Sequence, residues 1–117
     1  MNIEEYRAYC LAKKAVTEEF PFDSETLVFK VMGKIFALTS VSEFVSVNLK
    51  CDPEKAVELR DQYAAVVPGF HMNKKHWNTI QFDGSISDKL LKTWIDESYQ
   101  CVINTLPARD KRHLQSL

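Results

Sequence analysis

The chain has 117 residues, 45% of them hydrophobic and 26% charged, with a net charge of -1. That length supports one domain with its own core. The balance excludes a long disordered region and a protein that coats nucleic acid through bulk positive charge. Cys10, Cys51 and Cys101 are odd in number and form no Cys-x-x-Cys pair, which fits reduced thiols in a cytoplasmic protein and predicts no disulfide among them. No apolar run approaches the ~18 residues needed to cross a bilayer. Glu4 and Glu5 also interrupt any apolar signal core, so a soluble, unexported chain without membrane contact is expected.

Ile3, Tyr6, Cys10 and Leu11 recur at helical spacing over residues 3–15, with Glu4 and Glu5 in the first turn and Lys13 and Lys14 in the last, as the helix dipole favours. Phe20-Pro21-Phe22-Asp23 ends this helix, because proline holds its predecessor extended and Asp favours turns. Residues 26–32 and 34–39 are rich in β-branched and aromatic side chains and flank Gly33, the pattern of a tight hairpin. A third strand over 44–50 alternates, with Val45, Val47 and Leu49 on one face and Ser46, Asn48 and Lys50 on the other. Asp52-Pro53-Glu54 then reads as a helix start with Asp52 as its cap, running to about Ala64.

Pro68-Gly69 leads into two expected extended pieces, 70–73 and 77–82, separated by a corner at Lys74-Lys75. Ser85 or Ser87 can cap a last helix whose Leu91, Trp94, Ile95, Ser98 and Val102 form one stripe of period near 3.6. Pro107 closes it, and residues 108–117 read as a mobile tail beyond a single domain over 1–107. The order α-β-β-β-α-β-β-α predicts an α+β fold, a two-layer sandwich with helices on one face of an antiparallel sheet. The polar strand positions Lys30, Ser46, Asn48, Lys50, His71, Trp77, Thr79 and Gln81 could then share the other face.

The run from Pro68 to Asn78 concentrates imidazole, ammonium, amide and indole groups to a degree that no core requires. His71 and His76, even with Cys51, match no zinc spacing, so no metal is expected. A cysteine nucleophile at Cys51 would need a depressed thiol pKa that sequence does not display. There is no nucleophile elbow, Gly-rich phosphate loop or dinucleotide fingerprint, so the reading is non-enzymatic, with no catalytic residue and no cofactor. A basic-aromatic surface fits better. Lys30, Lys50, Lys74 and Lys75 can neutralise phosphates, while Asn48, Asn73, His76, Trp77 and Asn78 supply hydrogen bonds or stacking. On residues alone, a solvated charged corner with Trp77 partly in the core is an equal alternative.

Phe20-Pro21-Phe22-Asp23, Val28-Phe29-Lys30-Val31, Gly33-Lys34-Ile35-Phe36-Ala37, Val47-Asn48-Leu49-Lys50-Cys51-Asp52-Pro53 and His71-Met72-Asn73-Lys74-Lys75-His76-Trp77-Asn78 together resemble the MmcQ/YjbR family of small bacterial proteins, over nearly the whole chain to Pro107. The resemblance implies a two-layer fold like that of type III secretion chaperones, described as CyaY-like. It also implies a DNA-binding role through a double-wing arrangement, and it brings no catalytic residues. Phe70 stands where members often carry Tyr, and Ala108-Arg109 replaces a basic pair often found after the last proline. Double-stranded DNA is therefore the first expected partner. A protein partner on the open sheet face, in an adaptor or chaperone-like role, is the alternative.

Overall fold

The structure, a computed structural model, describes residues 1–70 and 72–117. Among the described residues ten elements follow in order: α1 (Ile3–Leu11), β1 (Val16–Glu19), β2 (Thr26–Val31), β3 (Lys34–Ser40), β4 (Ser46–Lys50), α2 (Pro53–Gln62), β5 (Val66–Pro68), β6 (Trp77–Gln81), α3 (Asp88–Asn104) and α4 (Ala108–Ser116). The strands form one antiparallel sheet in the order β1-β2-β3-β4-β6-β5. This is the expected α+β, two-layer arrangement, with one more strand and one more helix than the sequence predicts.

α1 is secured by a capping box: Asn2 Oδ1 accepts from the Glu5 amide at 2.8 Å, and the Glu5 carboxylate accepts from the Asn2 amide at 3.2 Å. The helix stops at Leu11, earlier than expected, and Lys13 and Lys14 lie past its end. The β2–β3 hairpin turns on Met32 and Gly33, both at positive φ (50° and 81°), the geometry of a two-residue turn matched to strand twist. Ser87 caps α3, its Oγ accepting from the Leu90 amide at 3.1 Å. Asp52 holds the expected N-cap position of α2, its carbonyl accepting from the Ala56 amide at 2.8 Å, but its side chain makes no capping hydrogen bond.

Register sorts the strand residues by face. Phe29, Val31, Phe36, Val47, Leu49 and Ile80 meet Tyr6 and Cys10 of α1, Leu59 of α2 and the Leu91, Trp94, Ile95 and Val102 stripe of α3 in the main core. Ser98, on that stripe, joins helix to sheet: its Oγ accepts from the Lys50 amide at 2.8 Å and donates to the Phe36 carbonyl. The segment expected as a tail is α4, whose Leu114 is buried in the same core. No helix among the described residues is long and apolar enough to cross a membrane.

The expected strand over 70–73 is absent from its described part. Phe70, Met72 and Asn73 belong to a loop, and the pairing strand is β5, placed earlier by Val66 and Val67. His71 lies outside the described residues, and with it the expectation of an open-face position and the metal reading that used it.

Candidate nucleic-acid interface

Antiparallel pairing decides what gathers at each end of the sheet. Val16 sits opposite Val31, Val31 opposite Lys34, and Lys50 opposite Trp77. One end therefore brings together Lys14 before β1, Lys30 and Lys34 at the β2–β3 turn, Lys50 at the end of β4, Lys55 in the first turns of α2, and the Lys74-Lys75 loop before β6. Among the described residues, Lys30 is paired with Glu19, whereas Lys34, Lys50, Lys55 and Lys75 have no carboxylate within ion-pairing distance. Lys34, Lys55 and Lys75 are exposed and Lys50 is half-buried. Asp52 and Glu54 are the acids that the α2 start adds to this end.

The loop from Gly69 to His76 is held by its own polar side chains. Asn73 Oδ1 accepts from the Lys75 amide at 2.9 Å, and the Asn73 carbonyl accepts from the Trp77 amide at 3.0 Å. Lys74 Nζ donates to the Gly69 carbonyl at 3.0 Å, and the Lys74 carbonyl accepts from Arg60 Nη2 at 2.6 Å. The His76 carbonyl accepts from the Cys51 amide at 2.7 Å, tying the loop to the end of β4. Lys74 and Lys75 are both exposed, and of the two it is the Lys74 ammonium that is tied to the loop's backbone.

Trp77 and Asn78 point to opposite faces, as neighbours in a strand must. Trp77 lies on the face away from the helices and is only 8% exposed, packed with Val28 and Leu38 and covered by Ile35 and Met72. Asn78 is buried on the helix side, where its Nδ2 donates to the Ala56 carbonyl at 3.2 Å and its Oδ1 accepts from Arg60 Nε at 2.8 Å. On the face with Trp77, Asn48 Oδ1 accepts from Thr79 Oγ1, which itself accepts from the Phe70 amide at 3.0 Å.

The nine residues singled out from sequence thus divide by what they touch. Lys50, Lys75 and His76 offer groups to the exterior. Lys30 is paired with Glu19, Asn48 is bonded to Thr79, and Asn73 and Lys74 are exposed but tied to the loop's own backbone. Trp77 and Asn78 are core groups placed on different sides of the sheet. Sequence reasoning missed Lys34, although the Gly33 hairpin puts it at the same end, and Arg60, whose guanidinium braces the loop from beneath.

The cysteines are free. Burial pushes the Cys51 thiol up to about 11, with further increments from Cys101 and Glu97, the opposite of the depression an activated nucleophile shows. Among the described residues, no three His, Cys, Asp or Glu side chains cluster as a metal site.

Comparison with known proteins adds ancestry to this geometry. The YjbR family model matches residues 11–101. The uncharacterized protein YjbR of Escherichia coli K12 is 36% identical over 118 residues, covering all of both chains. The uncharacterized protein YbdF of Escherichia coli O157:H7 is 40% identical over 97 residues, covering 82% of this chain and 80% of its own. The crystal structure of Deinococcus radiodurans protein DR2400, described as a DUF419 domain, superposes with a TM-score of 0.90 at 36% identity, covering 97% of this chain and 88% of that one. A Pseudomonas syringae protein structure gives 0.72 at 26% identity, over 86% of this chain and 98% of that one. The match to most of the chain and the full-length relatives together show that it belongs to the YjbR family.

Proposed function

We propose that this chain is a cytoplasmic, non-enzymatic DNA-binding protein that grips phosphates with the lysine-bearing end of its sheet. The observation carrying this reading is the convergence of Lys34, Lys50, Lys55 and Lys75, from four separate segments, without ion-pair partners among the described residues. A net charge of -1 means that attraction must come from such local concentration. Ammonium groups on flexible stems meet phosphates as point charges and read no base edge, so the binding is phosphate-directed and tolerant of sequence.

Fluorescence anisotropy with mixed-sequence duplexes tests it. Lys50→Ala with Lys75→Ala should weaken binding equally across unrelated sequences and flatten the log-log salt slope by about 2, one counterion for each lost contact. Lys30→Ala should do less, because Glu19 already neutralises that ammonium. Undiminished binding by the double variant would defeat this assignment of the contacts. A protein partner is the second reading, favoured by Phe20 and Phe22, which stand 48% and 68% exposed on the β1–β2 loop.

A further inference from the structure

Behind the lysine end, between α2, α3 and the ends of β4 and β6, lies a half-open cleft of about 970 Å³. Its size is at the upper end of that of small-molecule sites, which run to roughly 1,000 Å³. Leu49, Leu59, Ile80 and Trp94 form an apolar floor, with Trp94 only 5% exposed. Lys50 and Lys55 bring two cations to its lining, which also holds the acids Asp52 and Glu97 and the imidazole of His76.

The α3 wall has a more specific character. Gln100 and Asn104 stand one turn apart, and Gln100 Nε2 donates to Asn104 Oδ1 at 2.9 Å. That bond consumes one donor and one acceptor, and the groups left on this face of α3 include Gln100 Oε1 as an acceptor and Asn104 Nδ2 as a donor. A neighbouring donor and acceptor is what the edge of adenine presents, and an amide acceptor and donor together, usually from one Asn or Gln, are the complement to it. A fatty or simple aromatic acid would satisfy the floor and the lysines but leave the amides unmatched, which makes it the poorer occupant. A flat heterocycle carrying a phosphate uses all three: floor, amides and cations.

We propose that this cleft is a mononucleotide site, with adenine on the apolar floor against Gln100 and Asn104 and the phosphate on Lys50 and Lys55. It shares Lys50 and Lys55 with duplex binding but not Lys34, Lys75 or the amide groups, so substitutions outside the shared pair separate the two.

Cys51 and Cys101 line the cleft and Cys10 is fully buried, so thiol modification reports its occupancy. With the intact protein, deoxyadenosine monophosphate should slow modification of Cys51 and Cys101 and raise the melting temperature, while inorganic phosphate at equal concentration should do neither. Gln100→Leu should weaken nucleotide affinity about five- to hundredfold, the range for one lost base-edge pair, and leave duplex binding unchanged. Lys75→Ala should do the reverse. No protection by the nucleotide, equal protection by inorganic phosphate, or an unaltered affinity in the folded Gln100→Leu variant would each overturn the proposal. Loss of duplex binding with protection retained would remove the phosphate grip and leave the cleft assignment standing.

Discussion

Replacing Asn78 by Ala should destabilise the protein without the base-contact defect that its place beside Trp77 first suggests. The side chain is 2% exposed and spends both ends inside the fold: Nδ2 on the Ala56 carbonyl and Oδ1 on Arg60 Nε. A hydrogen bond to a charged donor contributes ~1.5–3 kcal/mol and a neutral one ~0.5–1.5 kcal/mol. Arg60 is half-buried and can recover some hydration, and the Ala56 carbonyl lies within α2, so the sum falls near the lower half, ~2–3 kcal/mol. For a chain of this size that lowers the melting temperature by roughly 8–12 °C. Urea denaturation measures it directly: the midpoint should fall with the slope unchanged. Arg60→Met should also destabilise, and the double variant should lose less than the two single losses added, since both remove one bond. A loss under ~0.5 kcal/mol, the scale of an ordinary surface change, would refute the buried pairing.

Two further outcomes test the loop and the core. A Cβ at Gly69 would stand 2.8 Å from Trp77 Cβ and 3.0 Å from its carbonyl oxygen, so Gly69→Ala should cost ~1–3 kcal/mol through overpacking and raise the access of solvent quenchers to Trp77 emission; unchanged stability would mean that the loop does not press on Trp77. Burial raises the Cys10 thiol from its ordinary 9.0 to about 12 and the Cys51 thiol to about 11. The folded state thus keeps protons that the unfolded chain has released, and stability should be intact below pH 9 and decline as pH rises towards 12. Cys10→Ala should flatten that decline, and an equally steep loss in the variant would show that other groups drive it.

Much of the fold is legible because burial follows period. The alternation of Val47 and Leu49 with Asn48 and Lys50 gives β4 its two faces, and the stripe through Leu91, Trp94, Ile95, Ser98 and Val102 gives α3 its core side. β1 is hidden because four residues with two glutamates form a short edge strand right after a helix whose lysines extend its apparent length. α4 is hidden because Leu114 alone anchors it, and one apolar residue makes no stripe. Val45, assigned to the buried face, is 63% exposed because β4 starts only at Ser46.

The candidate site is legible in composition and less so in geometry. Polar residues look alike in sequence whether they meet a ligand or the backbone, and Asn73, Lys74 and Asn78 meet the backbone. The strand period alone separates Trp77 from Asn78, since adjacent strand residues cannot reach one phosphate or base together. Lys34 and Lys55 join the site only through sheet register and the placement of α2, which no local pattern encodes.

The salt dependence of duplex affinity tests the central claim most directly. With Lys34, Lys50, Lys55 and Lys75 on phosphates, the logarithm of the association constant should fall with the logarithm of salt concentration at a slope of about -3 to -4, whatever the duplex sequence. Binding that is absent at low ionic strength, or present with a slope near zero, would contradict it.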